Sequence, residues 1–397
     1  MHDHPVNPAI RLVDGAFYGD DPHESLRWMR ENAPVYWDEA GQVWGITLYH
    51  DVLGLSKDPH TWRSTGGIRP DSPTMPYMID MDDPDHKKRR GLVNKGFTPR
   101  RVAEREGRIR EISIQLIERA KERGRFDFVK DVAAWLPLVL IGDMLGVDEA
   151  DHAKLLEWSE AMILGTGATT MERMLGAGAA FEEYVAYQRR VIADRRANPR
   201  DDLVSILVHA EIDGERLSDD ELVMETLLIL IGGDETTRHV LSGGMYQLLR
   251  NPDQCAAIAR DPGRIPTAVE EMLRWVSPIQ NMARTATRDV TLRGQRVCEG
   301  QKVILLYPSA NRDAAVFPDP FRFDVARTPN DHLAFGYGAH FCLGANLARM
   351  ELRVFFEEAL KRIPELELAS SEPPPLRASN FVSGIESLPV AWRGRSR

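Results

Sequence analysis

Phe335-Gly336-Tyr337-Gly338-Ala339-His340-Phe341-Cys342-Leu343-Gly344 decides how this chain is read. One cysteine stands among three glycines at a predicted loop-to-helix junction. The positive end of a helix and its free amides favour a thiolate over a thiol. Glycines at 336, 338 and 344 let the backbone approach something large and flat that a Cβ would hold away. Ligation of haem iron by the Cys342 thiolate meets both demands. The remaining cysteines, Cys255 and Cys298, form no CxxC pair with it or each other, which argues against a thiolate-built zinc site and a disulfide framework.

Working outward, a helix is predicted from about 342 to 362, with strand-like runs at 285–292 and 302–307 before it and closing strands toward Val390. Further back, Ser218-Asp219-Asp220-Glu221 has the form of a capping box and Asn251-Pro252 supplies a stop. Between them lies one helix of about 33 residues, roughly 50 Å at 1.5 Å per residue. Its middle, Leu227-Leu228-Ile229-Leu230-Ile231, is continuous hydrophobe, and Gly232-Gly233-Asp234-Glu235-Thr236-Thr237 follows directly. Two poor helix formers, two carboxylates and two hydroxyls are what a purely structural buried helix avoids. Apolar residues at three- and four-residue spacing make 85–249 overwhelmingly helical. The first ~60 residues add a helical segment at 22–32 and strand-like runs at 35–37 and 43–49 about a turn at Gly41. The expected architecture is mainly α with a small β region. It is a single domain over 1–397, with helical bulk at about 85–275 and 342–363 and β pieces from the N-terminal ~60 residues and about 280–325 and 364–394.

With 43% hydrophobic and 28% charged residues, the 397-residue composition is that of a globular protein and excludes collagen-like or disordered chains. Fifty Lys and Arg against 60 Asp and Glu leave a net charge of −10, which argues against a nucleic-acid polyanion as main partner. The start has no basic segment leading into an apolar one, and no stretch approaches the ~20 apolar residues of a membrane span. A cytoplasmic protein is expected.

The ten-residue stretch matches the signature FGxGxHxCxG of the cytochromes P450 at all six defined positions, and other segments resemble that family in its order. Glu271-Met272-Leu273-Arg274 resembles the family's ExxR, whose ion pair a later arginine, here Arg327, completes. Asp83-Pro84-Asp85-His86-Lys87-Lys88-Arg89-Arg90 resembles the helix start whose His86 and Arg90, one turn apart, bind the haem propionates. Arg284 and His340 match the remaining propionate contacts, and Phe335, Gly336 and Gly344 the loop around the cofactor. Gly232-Gly233-Asp234-Glu235-Thr236 resembles the oxygen-activating sequence. There Gly232 and Gly233 would let the helix press on the haem face and widen, Thr236 would donate to dioxygen, and Glu235 would deliver protons. The resemblance implies the cytochrome P450 fold, haem b (iron protoporphyrin IX), O2 as co-substrate and monooxygenase chemistry. No flavin or nicotinamide domain is apparent, so electrons derived from NAD(P)H are expected from a ferredoxin and ferredoxin reductase, docking on a basic patch of Arg89, Arg101, Arg105, Arg349 and Arg353.

Three longer segments, 64–84, 227–239 and Asn380-Phe381-Val382-Ser383-Gly384-Ile385-Glu386-Ser387, are similar to the actinobacterial steroid C26-monooxygenase branch. That similarity implies hydroxylation of the terminal side-chain methyl of cholesterol or cholest-4-en-3-one. The expected substrate lining, Ile68, Met75, Met78, Ile229, Met282, Phe381 and Val382, is apolar, and methionine adapts to an irregular hydrocarbon. Residues 161–178, with Gly165, Gly167 and Gly176, are expected to form a mobile lid. Two other readings stay open: a hydroxylase of a terpenoid, fatty acid or polyketide, and a non-catalytic haem sensor. Glu235 and Thr236 argue against the sensor, which needs no proton relay. His50, His152, His209 and His239 have no spacing that suggests a second metal.

Overall fold

The computed structural model describes residues 4–165, 171–211 and 214–392. The longer helices that build the site are α1 (Tyr49–Lys57), α2 (Asp85–Val93), α3 (Glu106–Arg123), α4 (Trp135–Met144), α5 (His152–Gly165), α6 (Met171–Ala197), α7 (Asp219–Arg250), α8 (Ile265–Val276) and α9 (Ala345–Arg362). The strands are β1 (Val35–Asp38), β2 (Val43–Ile46), β3 (Trp62–Arg63), β4 (Arg125–Asp127), β5 (Asn281–Ala286), β6 (Val290–Leu292), β7 (Gln295–Val297), β8 (Lys302–Leu306), β9 (Leu366–Leu368) and β10 (Pro389–Trp392).

The principal sheet runs β1-β2-β8-β5-β3, with β2 and β8 parallel and the other pairs antiparallel. Its centre joins two distant parts of the chain: Gly45 faces Ile304, and Ala283 faces Ile304 from the other side. β4-β10-β9 form a second antiparallel sheet, and β6-β7 a hairpin whose two-residue turn uses Arg293 and Gly294 at positive φ. Alternating apolar burial on the two faces of the principal sheet produces two small hydrophobic clusters, separate from the large core the helices enclose.

Helix α7 carries that core. It spans 32 residues, and Ser218 and Glu221 close a full capping box at its start. It stays helical straight through Gly232–Thr237, so the local widening expected there is absent. Tertiary packing accounts for this: neighbouring helices bury the apolar run 227–231 and offset the poor propensity of two glycines, about 1 kcal/mol each. Two boundaries also differ from expectation. The run ending near Tyr49 stops at Ile46 because α1 begins at Tyr49, and the last helix begins at Ala345, three residues after Cys342.

The expected lid over 161–178 is a pair of helix ends where described. Gly165 of α5 lies so near α6 that a Cβ there would meet Ala177 Cβ at 2.1 Å. Residues 166–170, Gly167 among them, lie outside the described residues. Among the described residues no helix is long and apolar enough to cross a membrane, and no cluster of three or more His, Cys, Asp or Glu could hold a metal ion.

Candidate active site

The loop 335–344 closes on itself through the Cys342 N–H, which donates to the Phe335 carbonyl at 2.9 Å. Gly336 and Gly338 take φ of +66° and +76°, the left-handed region where a Cβ is strained. Their surroundings differ. A Cβ on Gly338 would strike the Ser56 carbonyl of α1 at 2.3 Å, so this glycine serves loop packing and not the approach to a flat cofactor. Gly344 faces open space within 4 Å, as does Gly232 on α7, and both line the cavity into which Cys342 opens. Burial pushes the Cys342 thiol up, while the amides of Gly344 and Ala345 and the charges of Arg90 and Arg349 pull it down. A metal that takes the sulfur displaces the proton outright.

Beside the cysteine a set of nitrogen-bearing side chains, two arginines and two histidines, converges. His86 and Arg90 come from α2, Arg284 from β5 and His340 from the loop, and all four line the cavity. The His86 and His340 rings lie 4.1 Å apart, and His340 Nε2 is 3.0 Å from Ser64 Oγ. Among the described residues Arg90 and Arg284 donate to backbone carbonyls alone, those of Phe341 and Ala283. His86 Nε2 is buried without a partner. Burial and the charges of Arg284, His86 and Arg90 drive His340 down to about 2, and burial lowers Arg284 and Arg90. His86 Nδ1 has Asp83 at 3.2 Å, but among the described residues Arg90 and Arg284 have no carboxylate partner, and a flat group bearing two carboxylates would satisfy them. With a thiol on one side and Cβ-free walls at Gly232 and Gly344, the donor set fits haem.

Along α7, Glu225, Ile229, Gly232 and Thr236 fall at i, i+4, i+7 and i+11, one face of the helix. Ile229, Gly232 and Thr236 line the cavity. Gly233 borders it too, but its missing Cβ is explained by Ile141 of α4, 2.5 Å away. The Thr236 hydroxyl donates to the Gly232 carbonyl at 2.8 Å. Glu235 is fully buried, taking Arg377 Nη1 at 2.5 Å and Arg238 Nη1 at 3.3 Å, with His239 Nε2 3.5 Å away. Burial alone would raise its pKa, but His239, Arg377 and Arg238 outweigh that and hold it well below the carboxylate range. Arg238 also reaches Glu160 on α5, a residue 40% exposed on its side chain, so a charged chain runs from solvent to Glu235. Sequence reasoning missed Arg377 and Ser64, because each meets its partner only through tertiary contact.

Glu271 and Arg274 lie within the core. The pair is bidentate at 2.7 and 2.8 Å, Arg327 Nε reaches Glu271 at 3.1 Å, and Asn330 and the Asp324 N–H complete the shell. Of the expected substrate residues, Ile68, Met78, Ile229, Met282, Phe381 and Val382 line the cavity. Met75 does not; its side chain packs on the helical core, and its N–H is held by Asp80. Sequence reasoning also missed Arg69 and Glu351, two ionisable side chains that line the cavity, the second with its pKa raised by burial. The expected docking arginines divide: Arg89 is engaged by Glu221 and the buried Glu225 of α7, while Arg101, Arg349 and Arg353 pair with Asp201, Glu270 and Glu106.

A mainly helical fold with a cysteine-bearing loop beneath its longest helix defines a haem-thiolate monooxygenase. The chain belongs to the cytochrome P450 family, whose model matches residues 155–261 and 265–389. It is 50% identical over 392 residues, 98% of this chain and 97% of the relative, to a steroid C26-monooxygenase of Mycolicibacterium smegmatis. It is 42% identical over 364 residues, 88% of this chain and 84% of the relative, to a methyl-branched lipid omega-hydroxylase of Mycobacterium tuberculosis. The crystal structure of CYP109E1 from Bacillus megaterium in complex with testosterone superposes with a TM-score of 0.86 at 34% identity, covering 94% of this chain and 99% of that one. Family and fold imply haem b.

Proposed function

We propose that this cytoplasmic monooxygenase hydroxylates the terminal side-chain methyl of cholesterol or cholest-4-en-3-one. The observation that carries the reading is the convergence of Ile68, Met78, Ile229, Met282, Phe381 and Val382, from separate segments, into one apolar wall over the cofactor face of α7. Near-full-length identity of about half to a steroid C26-monooxygenase supports it. The methyl-branched lipid omega-hydroxylase supports the same chemistry in a second form, attack at the end of a branched hydrocarbon.

Cys342 would hold haem iron through its thiolate, with His86, Arg90, Arg284 and His340 on the propionates. When bound, haem supplies the oxygen-activating chemistry that inserts one atom of O2 into an unactivated C–H bond. The protein's residues then do three things. The apolar wall binds the hydrocarbon end and excludes water from the cavity. Thr236 offers a hydroxyl proton, parked on the Gly232 carbonyl, at the cavity surface. Glu235, held ionised by Arg377, Arg238 and His239, would lie at the inner end of a charged chain open to solvent at Glu160, the side from which protons would reach the cavity. Electrons would come from NAD(P)H through a ferredoxin reductase and ferredoxin, docking near Arg101, Arg105, Arg349 and Arg353.

The test is an optical titration of the purified ferric protein with cholest-4-en-3-one, a linear fatty acid and a monoterpene, following the haem Soret band. A saturable shift with the sterone at low concentration is expected. A shift with only the fatty acid or the monoterpene would move the substrate to that class.

A further inference from the structure

One wall of the cavity is an irregular segment, 64–82, that has almost no regular structure to hold it. Carboxylates accept several of its backbone N–H groups. Asp82 accepts the N–H groups of Ser64 and Thr65 at 2.7 and 3.0 Å, and Asp80 those of Ile68 and Met75 at 3.1 and 2.7 Å. These bonds tie the segment to itself. The 68–72 stretch is anchored to the sheet by the Ala283 N–H on the Ile68 carbonyl at 2.6 Å and by Lys302 Nζ on the Arg69 carbonyl at 2.9 Å. A third carboxylate, Glu225 of α7, ties the Met78 end to the helical body, its Oε1 accepting the Met78 N–H at 2.8 Å. The same oxygen lies 3.3 Å from Arg89 Nη1, and Arg89 also holds Glu221. Glu225 is wholly buried, and its second oxygen has no partner.

Its position sharpens the point. Glu225 lies seven residues, roughly 10 Å of helix axis, from Gly232 on the cavity-facing stripe of α7. An apolar side chain is the default there, since a buried carboxylate costs several kcal/mol unless its bonds repay it. Arg89 sits beside Arg90 on α2, the helix that sends His86 and Arg90 toward the cofactor. One carboxylate therefore touches the central helix, the cofactor-holding helix and the substrate wall.

We propose that Glu225 is a positioning residue that fixes the Met78 wall against α7 and α2, and so sets how bulky a molecule the cavity admits. It acts through the Met78 backbone and not by touching substrate. Burial raises its pKa to about 7 against the pull of Arg89 and the Met78 N–H. A carboxyl accepts that N–H in either protonation state, so the clamp does not depend on charge.

The experiment compares the wild-type holoenzyme with Glu225→Gln, which keeps an acceptor oxygen, and Glu225→Met, of similar length with none. Two readouts are independent of the natural substrate: hydrogen exchange at the Met78 amide, and optical titration with clotrimazole, a bulky azole, against imidazole. Glu225→Met is expected to speed Met78 exchange and weaken clotrimazole at least tenfold each, with imidazole affinity and the CO spectrum unchanged. Glu225→Gln should restore both to within threefold. The proposal is overturned if Gln and Met behave alike, if clotrimazole and imidazole weaken together, or if Met leaves exchange and clotrimazole untouched. A wild-type Met78 amide that exchanges as fast as an unstructured loop overturns it without any variant.

Discussion

At Thr236 the hydroxyl already has an acceptor, the Gly232 carbonyl one turn back, and an open cavity on its other side. A group so placed can exchange a backbone acceptor for a ligand with a small rotation. Thr236→Ala is expected to preserve NADPH consumption with a surrogate ferredoxin pair while product per NADPH falls about tenfold or more. Peroxide release measures the difference, and intact coupling would remove Thr236 from the relay. Cys342→Ala should abolish the thiolate-type CO spectrum, and an unchanged band would sink the ligand assignment. Glu271 shows a different dependence, on partners and not on exposure. Its carboxylate is fully buried yet saturated by Arg274, Arg327, Asn330 and a backbone amide. Arg274→Ala strips one charge from that set and should cost about 3–5 kcal/mol in urea unfolding.

Among the elements, the cysteine loop and helix α7 carry the predictions. Gly338 and Gly344 belong to one signature but answer to different neighbours. Gly338→Ala puts a Cβ 2.3 Å from an unyielding carbonyl at φ +76° and should cost about 2–4 kcal/mol of stability. Gly344→Ala meets nothing in the protein and should leave unfolding within about 1 kcal/mol of wild type while weakening cofactor retention. Denaturation of the cofactor-free chain beside a haem-transfer assay separates the two effects. At the start of α7, Ser218→Ala removes half of the capping box and should cost about 1 kcal/mol.

For the whole molecule, buried histidines make stability depend on pH. His239 is pushed down to about 4, first by burial and then by Arg377 and Arg238 against Glu235, and His23 is lowered by burial and four arginines. Both are neutral in the folded protein and near 6.5 in the unfolded chain. Between those values the unfolded state binds more protons, so stability rises with pH and is lost as pH falls from about 6.5 toward 4. His239 alone contributes up to about 3 kcal/mol of that loss. Asp234 and Glu225, raised to about 8 and about 7, and Glu351, raised by burial, act in the opposite sense over the same range. The histidine contribution is therefore read by difference: from pH 7 to pH 5 wild type should lose more urea stability than His239→Gln, and equal changes would show that His239 is accessible to protons in the fold.

The sequence by itself determined the class of fold and the chemistry of the cofactor face, because those rest on short-range patterns. The spacing FGxGxHxCxG, the capping box before a long apolar helix, and His86 one turn from Arg90 are all local and legible along the chain. The tertiary structure alone decided which neighbour each residue serves. Gly338 answers to Ser56 and Gly233 to Ile141, Met75 turns into the core, Arg89 turns to Glu225, and Arg377 reaches Glu235 from 142 positions away. No periodicity encodes those meetings, since a buried charge or a missing Cβ is set by what packs against it across the fold. The apolar cavity wall proposed for the substrate is of the same kind: its residues are ordinary apolar ones along the chain, and only their convergence over α7 brings them to one cavity.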